Sequence, residues 1–168
     1  MTDPAYLDAH NARHVWHPMA HPREMEQSPP RILARAEGVH VVDHRGHRAI
    51  DAVGGLWNVN LGYSSEPVKR AIAAQLEALP YASAFRGTTN APLIELSERL
   101  THWLQPEGMR RFAFTAGGSD SVEVALRLAR QYWKLAGHKD RTKFLACRKG
   151  SHGTHFGAAS ANGNDRFR

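Results

Sequence analysis

Apolar residues recur along the chain with two different spacings. A two-residue alternation occupies residues 38–42 and 48–52, and the turn between them, residues 43–46, contains a glycine. This arrangement predicts a β-hairpin. A four-residue spacing follows in residues 67–79 and again in residues 92–104, each of which begins with a proline. Because proline is tolerated in the first turn of a helix, both segments predict amphipathic α-helices.

Two short apolar segments in the second half of the chain each precede a glycine-rich stretch. Residues 111–115 predict a strand, which is followed by a turn of small residues and then by a strongly periodic helix that contains Val122. Residues 143–147 predict a second, buried strand that includes Cys147. Strands that alternate with helices indicate an α/β fold with a largely parallel sheet.

Residues 1–30 combine prolines with histidines. The histidines are His10, His14, His17 and His21. Their spacing suggests metal ligation, but Pro18 and Pro22 directly follow two of them and disrupt the helix that usually presents such ligands. Prolines at this density predict an extended arm rather than a continuous helix. No metal site is therefore predicted, although a histidine-rich metal or anion binder stays open as an alternative.

The composition is that of an ordinary globular protein. Of the 168 residues, 42% are hydrophobic and 23% are charged, which indicates neither disorder nor a fibrous repeat. The formal net charge is +6, but the basic residues are scattered, so no nucleic-acid partner is predicted. A single cysteine suits a reducing compartment. Without a secretion signal or an apolar run of membrane-spanning length, the expected location is the cytoplasm, with no membrane partner.

The strongest local motif is the turn of small residues within positions 114–123. Here a strand is expected to give way to a helix at Gly118 and Ser119. Unpaired backbone N–H groups at a helix start, together with serine hydroxyls, are able to hold a phosphate, and glycine lets the anion approach the backbone. The spacing matches neither the dinucleotide-binding nor the Walker pattern. The alternative is a plain tight turn in which Ser119 or Asp120 caps the helix.

Five segments resemble, in the same order, those of the class III or ω-amino-acid aminotransferases, which use pyridoxal 5'-phosphate (PLP). They are residues 16–19, 38–63, 83–89, 114–123 and 149–154. The resemblance thus covers nearly the whole chain. Residues 56–60 and 153–157 are most similar to the enzymes that transfer amino groups from ω-amino acids or amines to pyruvate.

The resemblance implies a fold, a division into domains and an assembly. The fold would be a partial fold-type I PLP-transferase, like that of aspartate aminotransferase. Residues 1–60 would form an N-terminal arm and a β-hairpin that belong to the small domain. Residues 61–168 would form the incomplete N-terminal part of the large PLP-binding domain. The complete enzyme is expected to be a homodimer that acts on an amino donor and a 2-oxo acid acceptor.

The resemblance also implies roles for particular residues. Gly118 and Ser119 would bind the phosphate of the cofactor. Trp57, in a glycine-flanked apolar stretch whose lack of a helical period predicts a loop, would wall the substrate pocket. Phe85 would lie near the active site across the dimer interface. The alternative for both aromatic residues is a place in the hydrophobic core.

The chain departs from the family pattern at Ser151. The family usually has an aromatic residue directly before His-Gly, and its ring stacks on the pyridine of the cofactor, whereas Ser151 offers no such surface. Stacking of this kind is worth about 0.5–1.5 kcal/mol, so weaker cofactor binding is expected. His152 keeps its family position beside the cofactor. Its alternative is a turn histidine that is hydrogen-bonded to the backbone.

A second departure concerns the lysine that forms the Schiff base with the cofactor. In the family this lysine, and the acidic residue at the pyridine nitrogen, lie beyond the length of this chain. None of the lysines present matches that position; they are Lys69, Lys134, Lys139, Lys143 and Lys149. No catalytic residue is assigned, and the chain as given is expected to be inactive. The alternative is a non-catalytic truncated paralogue that associates with a full-length aminotransferase.

Overall fold

The computed structural model describes residues 3–18 and 20–164. Contacts divide the chain into two compact units, residues 1–82 and residues 83–168, and each unit is described by itself. The predicted boundary after residue 60, between a small and a large domain, stays a prediction.

The first unit opens with two short helices. Helix α1 spans Pro4–His14 and helix α2 spans Pro22–Gln27. The carboxylate of Asp3 caps α1 by accepting a hydrogen bond from the backbone N–H of Ala5 at 3.0 Å. The prediction of an extended arm is wrong for these segments, because their prolines occupy first-turn positions and initiate helices. No continuous helix runs through the arm, as predicted; Met19, part of the arm motif, lies outside the described residues.

A three-stranded antiparallel sheet follows and confirms the predicted hairpin. Strand β1 spans Leu33–Glu37, β2 spans His40–Asp43 and β3 spans Arg48–Ile50, in the order β1-β2-β3. The hairpin is formed by β2 and β3, and β1 pairs with the other edge of β2. Val41 and Val42 on the central strand are buried and form part of a small core.

Two further helices complete the first unit. The segment α3, Gly54–Trp57, is a single turn with positive φ throughout, and helix α4 spans Glu66–Ala78. The position of α4 confirms the helix predicted from the four-residue apolar spacing. Pro67 lies in its first turn, where a missing N–H costs no hydrogen bond.

The second unit is helical where the structure is regular. Helix α5 spans Ala91–Trp103, and a short 3₁₀ turn, Gln105–Glu107, follows it. Helix α6 spans Gly118–Leu135, and helix α7 spans Phe156–Ser160. Both α5 and α6 confirm predicted helices.

The two strands predicted in the second unit are not present. Residues 111–115 and 143–147 have irregular backbone, and neither segment pairs with another strand among the described residues. An extended segment becomes a strand only when a neighbour satisfies its backbone groups. The expectation that Cys147 is buried is wrong, because its side chain is exposed. No parallel pairing forms within the described part of the chain.

Within residues 3–18 and 20–164, no helix is both long enough and apolar enough to cross a membrane.

Candidate functional site

The turn before α6 is folded around the carbonyl oxygen of Gly117. This oxygen accepts hydrogen bonds from the hydroxyl of Thr115 at 3.0 Å, from the hydroxyl of Ser121 at 3.2 Å and from the backbone N–H of Ser121 at 3.1 Å. Gly117 itself is extended, with φ −164° and ψ 174°, and the helix begins at the next residue. The small residues of the motif therefore build a well-defined helix start.

Three backbone N–H groups at this helix start point out of the helix. The first hydrogen bond inside α6 is made by Ser121, so the N–H groups of Gly118, Ser119 and Asp120 have no partner within the helix. No side chain caps α6 among the described residues. The alternative in which Ser119 or Asp120 caps the helix is therefore wrong, because both residues lie inside its first turn.

The side chains of the first two turns of α6 bind residues 154–158 instead. The hydroxyl oxygen of Ser119 accepts a hydrogen bond from the backbone N–H of Thr154 at 3.0 Å. A carboxylate oxygen of Asp120 lies 3.2 Å from Nδ1 of His155. These contacts hold the stretch after Ser151 against one side of the helix that begins at the phosphate turn. Both segments were predicted from the sequence to take part in the site.

His152 and Ser151 lie in the loop that precedes this contact. The backbone N–H of His152 donates to Oδ1 of Asn162 at 2.6 Å, and Nδ2 of Asn162 donates to the carbonyl of Gly153 at 3.0 Å. Asn162 is only 2% exposed, so it fixes the loop from within. Nε2 of His152 is buried and has no hydrogen-bond partner among the described residues. Ser151 is exposed.

Trp57 ends a turn of left-handed backbone. Gly54 and Gly55 have φ of 56° and 58°, and Leu56 and Trp57 follow with φ of 55° and 70°. Positive φ suits glycine but is sterically costly for leucine and tryptophan. The turn presents the Trp57 side chain with 79% of its surface exposed within residues 1–168.

The carboxylate of Asp51 holds this turn. It accepts hydrogen bonds from the backbone N–H of Gly55 at 2.6 Å and from the hydroxyl of Tyr63 at 2.6 Å. The Tyr63 hydrogen bond, followed by that of Gly55, lowers the pKa of Asp51. The same contact with Asp51 raises the pKa of Tyr63. Both shifts mean that the pair is bound most tightly with Asp51 ionised and Tyr63 protonated.

Phe85 lies near the start of the second unit and is 95% exposed. Its backbone N–H donates to the hydroxyl of Ser83 at 3.3 Å. Of the predicted site residues, Gly118, Ser119, Ser151 and His152 share the second unit, whereas Trp57 belongs to the first.

The described histidines of the arm have partners other than a metal. The ring of His10 stacks on that of Tyr6 with centroids 3.8 Å apart, and Nε2 of His17 lies 3.2 Å from Oδ1 of Asn11. Within the described residues, no group of three or more metal-ligating side chains of the histidine, cysteine or carboxylate kind is found.

A match to the model of one protein family shows that these features belong together. The model of the aminotransferase class-III family matches residues 21–167, well over half of the chain. The chain belongs to the class III aminotransferases. This family depends on PLP, and the resemblance drawn from the five sequence segments is confirmed.

Curated class III aminotransferases match along most of the present chain. The putrescine–pyruvate aminotransferase of Pseudomonas aeruginosa is 33% identical over 84% of this chain and 31% of its own length. The adenosylmethionine-8-amino-7-oxononanoate aminotransferase of Geobacter sulfurreducens is 32% identical over 92% of this chain and 34% of its own length. The chain thus spans about a third of the length of these relatives.

Solved structures of transaminases confirm the partial PLP-transferase fold. A PLP-bound amine transaminase from an uncultivated Pseudomonas species is 44% identical, with a TM-score of 0.86 over 92% of this chain and 35% of its own. A thermostable ω-transaminase is 25% identical, with a TM-score of 0.86 over 96% of this chain and 36% of its own. That protein was engineered for the synthesis of enantiopure bulky amines by replacing a tryptophan, a phenylalanine and an arginine.

Two residues that organise the site were missed by sequence reasoning. Asn162 ties down the His152 loop, and Glu123 accepts a hydrogen bond from the backbone N–H of Ala158 at 2.9 Å. Both act on backbone groups that lie far away in the sequence or across a loop. Glu123 is the last residue of the 114–123 motif, but no role was predicted for it, and Asn162 belongs to no motif.

Proposed function

We propose that the start of α6 binds the phosphate of PLP through Gly118 and Ser119. The observation that carries this proposal is the set of three outward N–H groups beside open space at Gly118. A Cβ at Gly118 would meet no atom within 4 Å, and its φ is not in the left-handed region. Neither the fold nor the backbone conformation therefore requires glycine here, whereas close approach of an anion does.

Ser119 supports the same proposal through its hydroxyl group. The oxygen accepts the N–H of Thr154, and no described residue accepts the hydroxyl hydrogen. The hydrogen bond from Thr154 thus holds the hydroxyl oxygen in place, and the hydroxyl hydrogen is available to donate to a phosphate oxygen. The helix dipole of α6 adds a favourable field for an anion at this end. The residues present therefore fit the phosphate group.

Ser151 and His152 would border the ring of the cofactor in this proposal. Asn162 holds the backbone of His152, and the buried Nε2 leaves a polar group that still needs a partner. Ser151 supplies no stacking surface, so the ring would be held less firmly than in relatives with an aromatic residue.

Trp57 and Phe85 are proposed to shape the substrate pocket. Both are largely exposed aromatic residues within residues 1–168, which suits a surface that contacts a ligand or a second subunit. The tryptophan and the phenylalanine replaced in the engineered ω-transaminase are separated by the same number of residues as Trp57 and Phe85. That protein was engineered for the synthesis of bulky amines, which supports a role of the two aromatic residues in shaping the substrate pocket.

The whole protein would transfer an amino group from an ω-amino acid or an amine to a 2-oxo acid such as pyruvate. PLP, when bound, supplies the electron-withdrawing ring that this chemistry needs. Residues 1–168 would bind its phosphate and shape the pocket, whereas the lysine that bonds to the cofactor would lie outside them. We expect a homodimer in the cytoplasm and no turnover by residues 1–168 alone.

A second candidate function is that of a non-catalytic paralogue that pairs with a full-length aminotransferase. The exposed Phe85 in the predicted dimer-contact loop favours it. Co-purification with such a partner, without cofactor on this chain, would support this candidate over the enzyme.

The substitution Gly118→Ala tests the proposed phosphate site. The new methyl group meets no protein atom, and alanine favours a helix over glycine by up to about 1 kcal/mol, so the free energy of unfolding should stay equal or rise. The Kd for PLP should rise about tenfold because the methyl group occupies the space of the anion. The Kd for pyridoxal, which lacks the phosphate, should not change. Unchanged PLP affinity in a stably folded variant would rule out this site.

A further inference from the structure

Two residues on one face of α6 each lie against a glycine of the 153–157 segment. Ser119 and Glu123 are one helical turn apart, so their side chains leave the same side of the helix. A Cβ at Gly153 would lie 2.5 Å from the hydroxyl oxygen of Ser119. A Cβ at Gly157 would lie 2.8 Å from Oε2 of Glu123. At both places the packing leaves no room for a side chain.

Glu123 anchors helix α7 at this contact. Its Oε1 accepts the backbone N–H of Ala158 at 2.9 Å, and Ala158 is fully buried. A methyl group at Gly157 would displace the carboxylate, since the carboxylate is the movable partner, and this displacement would break the bond to Ala158. Glycine at position 157 and glutamate at position 123 are therefore required by each other, although no role was predicted for either residue within segments 153–157 and 114–123.

The anchor acts on the phosphate turn through the residues just before α7. Thr154 donates its N–H to Ser119, and His155 contacts Asp120. When α7 is fixed by Glu123, the N–H of Thr154 stays on the hydroxyl oxygen of Ser119. One side of the oxygen is then occupied, so the hydroxyl hydrogen is restricted to fewer directions, and a donor that is oriented in advance binds an anion more tightly than a freely rotating one.

We infer that Glu123 is a positioning residue for the phosphate turn. It holds α7 and thereby the bond from Thr154 to Ser119, and Gly157 provides the space for its carboxylate. This inference rests on the proposed binding of the PLP phosphate at Ser119. It adds that the strength of this binding depends on a carboxylate that does not touch the phosphate.

A double-variant cycle in the full-length protein tests the inference. Glu123→Ala and Gly157→Ala each remove the bond to Ala158, so each should raise the Kd for PLP about tenfold. The double variant should bind PLP no more weakly than Glu123→Ala alone, because the same bond is already lost. Glu123→Gln keeps an acceptor oxygen and should stay close to wild type. The Kd for pyridoxal, which lacks the phosphate, should stay the same throughout.

The control is Glu98→Ala, which removes an exposed glutamate from α5 that has no ion pair among the described residues. It should leave both affinities unchanged. Should Glu123→Ala fail to fold, Glu123→Asp keeps the charge, shortens the reach and is expected to weaken PLP binding similarly. Equal losses of PLP and pyridoxal affinity would reduce Glu123 to a structural role, and additive losses in the double variant would refute the pairing with Gly157.

Failure of the proposed function gives a different result. In that case the wild-type protein itself would bind PLP no more tightly than pyridoxal, and the positioning role would fall with it. Thermal melting of the wild type, Glu123→Ala, Gly157→Ala and the double variant without cofactor would still reveal whether Glu123 and Gly157 act as a pair. A non-additive melting cycle is expected.

Discussion

At the scale of single residues, the left-handed turn at Trp57 shows how strain and electrostatics are combined. Leucine and tryptophan with positive φ typically cost on the order of 1–3 kcal/mol each, so the surrounding contacts must stabilise the turn. Asp51 provides them through two hydrogen bonds of 2.6 Å, from Gly55 and Tyr63. A strained turn that presents an exposed tryptophan is the arrangement expected of a ligand-contacting residue.

The pH dependence of stability tests the Asp51–Tyr63 pair. The folded pKa of Asp51 lies below its ordinary value of 3.8, so its contribution is present above that pH and is lost as the pH falls through the folded pKa. The folded pKa of Tyr63 lies above 10.0, so its contribution is present below that pH and is lost as the pH rises through the folded pKa. Tyr63→Phe should therefore lower the melting temperature at neutral pH and flatten both the acid and the alkaline limbs.

The matched control for this measurement is Tyr81→Phe. Tyr81 is 78% exposed and makes no recorded side-chain hydrogen bond among the described residues. Its replacement should leave the pH profile of the melting temperature unchanged. If Tyr63→Phe and Tyr81→Phe gave the same profile, the role assigned to the Asp51 carboxylate would be wrong.

At this scale the sequence supports predictions where the relevant residues are neighbours. Gly118 and Ser119 could be proposed as a phosphate site because a run of small residues between an apolar segment and a periodic helix is visible within about ten positions. Glu123 and Asn162 could not be found, because each acts on a backbone group that only the fold brings near. The left-handed backbone at Leu56 was equally hidden, since the sequence marks only the two glycines before it.

At the scale of secondary structure, the helices were predictable and the second-unit strands were not. Helices α4, α5 and α6 follow from an apolar period that each segment carries by itself. A strand depends on a partner, and among the described residues segments 111–115 and 143–147 have none. The prediction of an extended arm was wrong for a third reason, because prolines can begin helices as well as interrupt them.

The N-caps of α4 and α5 give a matched test at this scale. Oδ1 of Asn90 accepts the N–H of Leu93 at 3.0 Å, whereas the side chain of Ser65 makes no capping hydrogen bond. Asn90→Ala should reduce the free energy of unfolding by about 1 kcal/mol, and Ser65→Ala should have almost no effect. Chemical denaturation of both variants measures this difference. Equal losses would contradict the assignment of the caps.

At the scale of the whole molecule, the chain accounts for about a third of a class III aminotransferase. Several large apolar side chains lie open on its surface, among them Phe85, Leu145 and Phe156. Exposed apolar surface of this kind marks places where other parts of a protein or a partner bind. The sequence predicted this family from five ordered segments, but it could not supply the amino donor, because residues 1–168 provide only part of the expected pocket.

The most direct test of the account is the intact mass of the protein isolated from its source cells after reduction with borohydride. Borohydride fixes a cofactor that is bonded to a lysine. The account predicts a polypeptide well above twice 18.7 kDa that carries a reduced cofactor on a lysine outside residues 1–168 and catalyses pyruvate-dependent amino transfer. A mass near 18.7 kDa with no trapped cofactor would contradict the account and favour the non-catalytic paralogue.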